Sequence, residues 1–327
     1  MAFFRKGRNA NFIILNSFSW HVPGIGGLFA FLGWFIAGFL ICQVISTLII
    51  MVYGLSTGNA SASGIIALAK DPKLLQIIQL VSYPFLFLPA LIASRYMSNR
   101  NVFFENGYKV DSPVKEKINP WKAAVLCCLA TFSLAFLMDF LNGLLPEMSD
   151  SWKTAIEAMV GGNFIINFIC VSIFAPFFEE WFIRGTLLRG LLNCKRPDGS
   201  RGFSPFWSIV VTSAIFGLIH GNIWQALPAF ALGCLFGYIY YKTGSLKLTM
   251  LMHFFNNTVS LVASQFFTDS AAETWADVIP YPQLYAVSAA CLAVVVLVVL
   301  EFRKIKTARS GGCELIPAEV PSEVPRP

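Results

Sequence analysis

The segment FAPFFEEWFIRG, residues 174–185, places three charged side chains at the end of an apolar run. These side chains are Glu179, Glu180 and Arg184. A charged side chain in hydrocarbon is costly, so such residues usually face the interior of a helix bundle or a water-filled cavity and serve a function. The segment therefore indicates a membrane-embedded helix with a functional polar face.

The composition of the whole chain agrees with a membrane protein. A soluble domain carries about 25% charged residues, whereas this chain of 327 residues is 13% charged and 56% hydrophobic. Its apolar blocks have the length that crosses a hydrocarbon core of about 30 Å. We therefore predict an all-α polytopic membrane protein, a bundle of about eight transmembrane helices. The predicted spans are residues 27–53, 75–96, 121–145, 163–184, 205–221, 223–241, 246–267 and 282–302.

Charge alternates between the predicted loops. Basic residues precede the first span and follow the second, fourth, sixth and eighth, with Lys70 and Lys73 as the exception in another loop. Because Lys and Arg are enriched in cytoplasmic loops, we predict that both termini are cytoplasmic. The basic loops account for the net charge of +6, so no nucleic-acid partner is predicted. The eight cysteines lack C-x-x-C spacing and predict neither a disulfide framework nor a thiolate metal site.

Spacing divides the charged residues of the first segment into two kinds. Glu180 and Arg184 are four residues apart, so on a helix they face each other and can form an ion pair. Glu179 is rotated from Glu180 by about 100° and can face a different partner. Pro176 can bend the helix where the carboxylates begin. A structural ion pair at the membrane interface would explain Glu180 and Arg184, but it would leave Glu179 unexplained.

Two later segments also place polar groups at helical spacing. FGLIHGN sets Phe216 and His220 four residues apart, and MHFFNNTVS does the same for His253 and Asn257. Each could be structural, as a hydrogen-bonded core histidine or a polar contact between helices. Together with Glu179 they form a set that suits hydrolysis. A carboxylate can take a proton from water, and an imidazole with an amide can donate to an oxyanion. One Glu and two His can also hold a catalytic zinc ion.

The three motifs together resemble a known family. EExxxR at 179–184, FxxxH at 216–220 and HxxxN at 253–257 occur in this order within about residues 160–265. This pattern is similar to the CAAX-protease and bacteriocin-processing (CPBP, or Abi) family of intramembrane endopeptidases, which includes the CAAX prenyl endopeptidases. The resemblance implies a helical bundle with a conical active-site cavity inside the membrane, open to cytoplasm and lipid.

The resemblance also implies a role for each residue of the motifs. Glu179 would activate the attacking water with His220, while His253 and Asn257 would form the oxyanion site. The implied supporting residues are Glu180, Arg184 and Phe216. Family members are called both metalloproteases and glutamate peptidases, and this chain lacks the HExxH helix of soluble zinc peptidases. We favour a metal-free glutamate mechanism without a cofactor. The alternative is a zinc ion held by Glu179, His220 and His253.

These expectations fix the predicted organisation of the chain. Residues 1–150 would form N-terminal transmembrane helices, residues 151–305 the catalytic domain, and residues 306–327 a disordered cytoplasmic tail. The expected substrate is a peptide or a lipidated protein, in CAAX-type prenyl-protein processing or in bacterial leader or bacteriocin-related processing. The expected membrane is the plasma membrane in a bacterium and the endoplasmic reticulum in a eukaryote. No feature of the sequence indicates a cleavage sequence or an oligomeric state.

Two other functions use the same residues. A non-catalytic scaffold or immunity protein could retain a peptidase fold, although none of the motif residues is missing. A transporter could use buried charges as a proton relay, but it would spread them along a path across the membrane.

The positions of the predicted spans conflict with a shared site. Glu179 and His253 lie towards the cytoplasmic ends of their spans, whereas His220 lies near the outer end of the fifth. For the three to meet, the fifth span must begin with an interfacial or tilted segment at FSPFWS, residues 203–208. Alternatively, spans five and six form a shallow pair that turns at Gly221 and Asn222.

Overall fold

The structure is a computed structural model that describes residues 25–98, 114–150, 152–153, 162–193, 203–266 and 274–305. The predicted cytoplasmic tail, residues 306–327, lies outside the described residues, as do the basic residues before the first span, Arg5, Lys6 and Arg8. Within the described ranges the regular structure is helical. In chain order the helices are α1 (Ile25–Ser56), α2 (Ala62–Leu68), α3 (Pro72–Ser98), α4 (Pro120–Asn142), α5 (164–193), α6 (Pro205–Leu218), α7 (Ile223–Thr243), α8 (Leu246–Phe266), α9 (Trp275–Val278) and α10 (Tyr281–Arg303), with a 3₁₀ turn at Val114–Glu116 before α4.

The prediction of an all-α, multi-pass membrane protein is confirmed. Each of the eight predicted spans coincides with a helix, and six helices of the described ranges are long and apolar enough to cross a bilayer. The helix α6 has 14 residues, which is short for a full crossing. The helix α8 has 21 residues, but polar side chains that include His253 and Asn257 lower its mean hydropathy. The six long apolar helices contain Leu28–Ser56, Pro72–Ala93, Pro120–Asn142, Phe164–Leu192, Ile223–Thr243 and Tyr281–Arg303.

The chain turns between α6 and α7 at Gly221 and Asn222, where one of the two alternatives for spans five and six places the turn. The helix α6 ends at Leu218, and Gly221 has a φ of 76°, a left-handed conformation that glycine adopts without strain. Asn222 then caps α7, because its side chain accepts a hydrogen bond from the backbone N–H of Gln225. This tight turn places His220 between two packed helices.

The helix α5 carries the EExxxR motif and is not a uniform α-helix. Its central α-helical turn, Ala175–Glu180, lies between two π-helical segments, Phe168–Phe174 and Trp181–Leu188. Pro176 lies in the interior of α5, where its missing backbone N–H removes one hydrogen bond from the helix. Widened π turns often occur at functional sites because they rotate the side chains that follow. Both glutamates therefore lie where the helix changes its winding.

The helices α1 and α3 form a hairpin that packs against α5. At Gly38 the backbones approach so closely that a Cβ atom would lie 1.9 Å from the carbonyl oxygen of Leu86. Aromatic rings join this hairpin to α5, with centroids 5.2 Å apart for Phe35 and Phe182 and 5.4 Å apart for Phe87 and Phe178. The hairpin thus packs on the face of α5 that carries Phe178 and Phe182, on either side of the glutamates.

Candidate active site

A fully buried ion pair anchors the polar face of α5. The Nη1 atom of Arg184 lies 2.7 Å from Oε1 of Glu180, and both side chains are almost completely buried. This confirms the ion pair predicted from the spacing of the two residues. The guanidinium also donates to the carbonyl oxygen of Gly233 on α7 at 3.2 Å and lies 4.6 Å from the ring centroid of Phe216. Arg184 therefore points into the protein and is enclosed by it.

His253 joins the same cluster from α8. Its Nδ1 atom lies 3.0 Å from Oε1 of Glu180, so Nδ1 carries a hydrogen and donates it to the carboxylate. The opposite ring nitrogen, Nε2, lies 3.9 Å from Oε2 of Glu179. Glu180 therefore fixes the orientation of the imidazole and directs Nε2 towards the neighbouring glutamate.

Glu179 has a different environment from Glu180. Its side chain is 14% exposed, whereas that of Glu180 is 0% exposed. The hydroxyl of Tyr83 on α3 donates to Oε1 of Glu179 at 2.6 Å, and Oε2 faces His253. Glu179 thus has one oxygen held by a neutral donor and the other directed towards an imidazole.

Phe216 connects the two histidines. Its ring meets those of His220 and His253 edge-on, with centroids 5.2 and 5.7 Å apart. The Nδ1 atom of His220 lies 2.8 Å from the carbonyl oxygen of Phe216, so Nδ1 carries the hydrogen and Nε2 presents a lone pair when the ring is neutral. Within the part of the chain that the structure describes, His220 makes no hydrogen bond to Glu179.

Asn257 lies one turn beyond His253 on α8 and contacts α5. Its Nδ2 atom donates to the carbonyl oxygen of Val171 at 2.8 Å, and its Oδ1 accepts from Asn256 at 3.1 Å. Val171 belongs to the first π-helical segment, in which carbonyl groups are not bonded in the usual α-helical register. The amide of Asn257 is therefore held in one orientation by two contacts.

The arrangement does not assemble the predicted zinc ligands. Among the described residues, no three side chains of His, Cys, Asp or Glu are grouped so that they could share a metal ion. Glu179 and His253 are close, but His220 is not grouped with them among the described residues. We therefore derive no step through a metal, and metal dependence stays a prediction.

Sequence reasoning identified most of the side chains in this cluster but missed two. It placed Glu180 with Arg184 correctly, and it separated Glu179 from that pair. It missed Tyr83, which comes from α3, almost one hundred residues earlier in the chain. It also missed Phe236, whose ring lies 6.0 Å from that of His253 and 5.4 Å from the Arg184 guanidinium. A tyrosine and a phenylalanine in apolar helices carry no local signal that distinguishes them from core residues.

Comparison with known proteins gives one finding. Residues 161–259 match the family model described as type II CAAX prenyl endopeptidase Rce1-like. The resemblance predicted from the three motifs is thereby confirmed, and the matched segment contains all three. No curated protein and no solved structure matched the chain. The match supports a CAAX-type intramembrane protease in general terms.

Proposed function

We propose that this protein is an intramembrane endopeptidase that hydrolyses a peptide bond with water activated at Glu179. The difference between the two adjacent glutamates is the observation that carries the proposal. Glu180 is buried and neutralised by Arg184, so its charge is already compensated. Glu179 is partly accessible, and no Arg or Lys among the described residues forms a salt bridge with it. It is therefore the carboxylate that is able to act as a general base.

In the first step, Oε2 of Glu179 accepts a proton from water while the water oxygen attacks the carbonyl carbon of the scissile peptide bond. The neutral tautomer of His220, with its lone pair on Nε2, suits the second hydrogen of that water. The two acceptors together would orient the attacking lone pair. The product of this step is a tetrahedral intermediate with a negatively charged oxygen.

That oxyanion requires hydrogen-bond donors in fixed positions. An amide nitrogen carries two hydrogens. Asn257 directs one of them at Val171, and we assign the other to the oxyanion. His253 supplies a second donor from Nε2 when its ring carries both protons, because Nδ1 donates to Glu180. Asn257 and His253 are one turn apart on α8, so both face the same side of that helix.

The intermediate collapses when the C–N bond breaks. The proton held by Glu179 passes to the departing amine, and the carbonyl group becomes a carboxylic acid. Glu179 then returns to its ionised form. One water molecule is consumed, and no oxidant, reductant or cofactor takes part in this scheme.

The expected substrate is a prenylated protein or another peptide that reaches the site within the membrane. The family described in the match acts on CAAX prenyl proteins, as its name states. Three of the helices around the site, α3, α5 and α7, are long and apolar enough to span a bilayer. Apolar side chains on α5 just before the glutamates, such as Ile173 and Phe177, are exposed and suit contact with lipid or with a lipid-modified substrate.

We assign the orientation in the membrane from the charge at one end of the bundle. At one end, Lys117 donates to the carbonyl oxygen of Thr243 at 2.8 Å, and Lys242 donates to that of Arg303 at 3.2 Å. This basic end joins the start of α4 to the ends of α7 and α10. We assign it to the cytoplasm because Lys and Arg are retained there. Both termini would then be cytoplasmic, in the plasma membrane of a bacterium or the endoplasmic reticulum of a eukaryote.

The test is cleavage of fluorogenic peptides by the purified full-length protein in lipid nanodiscs. A farnesylated CAAX peptide and the same peptide without its lipid would be compared, and mass spectrometry would identify the cleaved bond. We expect cleavage that is faster for the lipidated peptide and absent in Glu179→Ala. If the folded wild-type protein cleaved no peptide at a rate above that of Glu179→Ala, the function would be that of a non-catalytic scaffold.

A further inference from the structure

The residue Tyr83 lies outside the segment that matches the peptidase family, yet it contacts Glu179 directly. Its hydroxyl oxygen is 2.6 Å from Oε1 of Glu179, within the range of a hydrogen bond from a hydroxyl to a carboxylate. The matched segment begins at residue 161. The contact therefore comes from α3, a helix to which neither the motifs nor the family match assigns a role.

Packing around the tyrosine ring restricts where its hydroxyl can point. The ring centroid lies 5.8 Å from that of Phe87 on the same helix and 6.3 Å from that of Phe178 on α5. Phe87 and Phe178 are themselves stacked, with their planes 8° apart. Aromatic contacts of this kind hold rings in defined orientations. The contacts with Phe87 and Phe178 therefore hold the Tyr83 ring so that its hydroxyl points at Glu179.

The two oxygens of Glu179 consequently differ. Oε1 accepts from Tyr83, and Oε2 faces Nε2 of His253 at 3.9 Å. A carboxylate that can rotate presents either oxygen to water, whereas one that is held at Oε1 presents Oε2 alone. Orientation of a reacting group in this way accelerates a reaction, because less motional freedom is lost on reaching the transition state.

We infer that Tyr83 is a positioning residue for the general base: its hydroxyl holds Oε1 of Glu179 so that Oε2 faces the attacking water. The inference rests on the proposed peptidase function. Tyr83 does not touch the substrate in this scheme, and it acts through Glu179. The α1–α3 hairpin is then part of the catalytic apparatus and more than a membrane anchor.

The first experiment compares Tyr83→Phe with the wild type in the peptide assay. The substitution removes one hydroxyl and keeps the ring contacts. Because a hydrogen bond to a charged group is lost, kcat should fall about ten- to a hundredfold. KM should stay within about twofold, because substrate binding is unaffected in this scheme. An unchanged kcat in Tyr83→Phe, with an active wild type, would overturn the role of Tyr83 and leave the peptidase function standing.

Tyr238→Phe is the matched control. The hydroxyl of Tyr238 on α7 donates to the carbonyl oxygen of Val299 on α10 at 3.0 Å, a contact that involves neither glutamate. The control loses the same atom and one hydrogen bond between membrane helices. Its kcat should equal that of the wild type. A fall in kcat of equal size in both variants would show a general loss of packing and overturn the positioning role.

A second measurement does not depend on substrate or on activity. The infrared difference spectrum between the wild type and Glu179→Gln isolates the carboxylate band of Glu179. The same difference recorded in the Tyr83→Phe background should show that band shifted, because the carboxylate has lost a hydrogen-bond donor. An identical band in the two backgrounds would overturn the inference even if the protein were inactive on every peptide tried.

Discussion

Glu180 and Glu179 are adjacent in the sequence, but their side chains differ in burial and in hydrogen-bond partners. Around Glu180, Arg184 and His253 supply charge-assisted contacts and solvent is excluded. Around Glu179, the hydroxyl of Tyr83 is the hydrogen-bond donor, and part of the side chain is accessible. The lesson is that two carboxylates in one motif can take opposite roles. One fixes the geometry of the cluster, and the other is the carboxylate to which we assign the general-base role.

The largest effect expected from this comparison is the loss of activity in Glu179→Gln. The amide keeps the size of the side chain but accepts no proton, so general-base catalysis is removed. Such catalysis contributes about 10²- to 10⁴-fold, and kcat should fall by that factor. The thermal unfolding temperature in nanodiscs should stay close to that of the wild type, because Glu179 is not part of the buried ion pair. Full activity in Glu179→Gln would assign the base elsewhere.

The same substitution at the neighbouring residue, Glu180→Gln, should lower the stability of the protein, unlike Glu179→Gln. Glu180→Gln leaves the Arg184 guanidinium buried without its carboxylate. Removing one partner of a buried pair destabilises a protein by about 3–5 kcal/mol. We expect a clearly lower unfolding temperature for Glu180→Gln, measured by thermal denaturation in the same nanodiscs.

The double variant Glu180→Gln with Arg184→Gln provides the control for this stability effect. It removes both charges, so it should be less destabilised than Glu180→Gln alone. If Glu180→Gln unfolded at the wild-type temperature and Glu179→Gln did not, the roles of the two glutamates would be exchanged.

The pairing of Glu180 with Arg184 could be predicted from the sequence, whereas the contact of Glu180 with His253 could not. Spacing of four residues is enough to predict the contact of Glu180 with Arg184, because helical geometry fixes it locally. The contact of Glu180 with His253 joins residues 73 positions apart. It depends on how α8 packs against α5, which no local pattern encodes.

The winding of α5 is a further feature that the sequence left open. Pro176 predicted a disturbance near the glutamates, and the structure has π-helical segments on both sides of its turn. Proline signals that backbone hydrogen bonds change nearby, but not whether the helix kinks or widens. The hydrogen bond from Asn257 to the carbonyl oxygen of Val171 depends on whether this part of the helix kinks or widens. The turn at Gly221, in contrast, was predictable because glycine and a capping asparagine are local signals.

A smaller effect is expected from the side of the site that faces the oxyanion. Asn257→Ala removes a donor that the proposed mechanism uses in the transition state. The loss of one such donor lowers kcat by about 10²- to 10³-fold. Asn256→Ala should have a weaker effect, because Asn256 only orients the Asn257 amide through its Oδ1. Steady-state kinetics of both variants would test this order, and equal losses would argue against direct contact of Asn257 with the oxyanion.

The last prediction is that removal of metal ions has no effect on kcat. If the accessible side of the cluster works through Glu179 and His220 alone, prolonged dialysis against a strong chelator should leave kcat unchanged. A zinc peptidase treated in the same nanodiscs would show that the chelator removes metal under these conditions. Loss of activity that Zn²⁺ restores would instead make Glu179, His220 and His253 ligands. The contrast between the two glutamates would then hold in another form, because Glu180 would orient a ligand histidine through Nδ1.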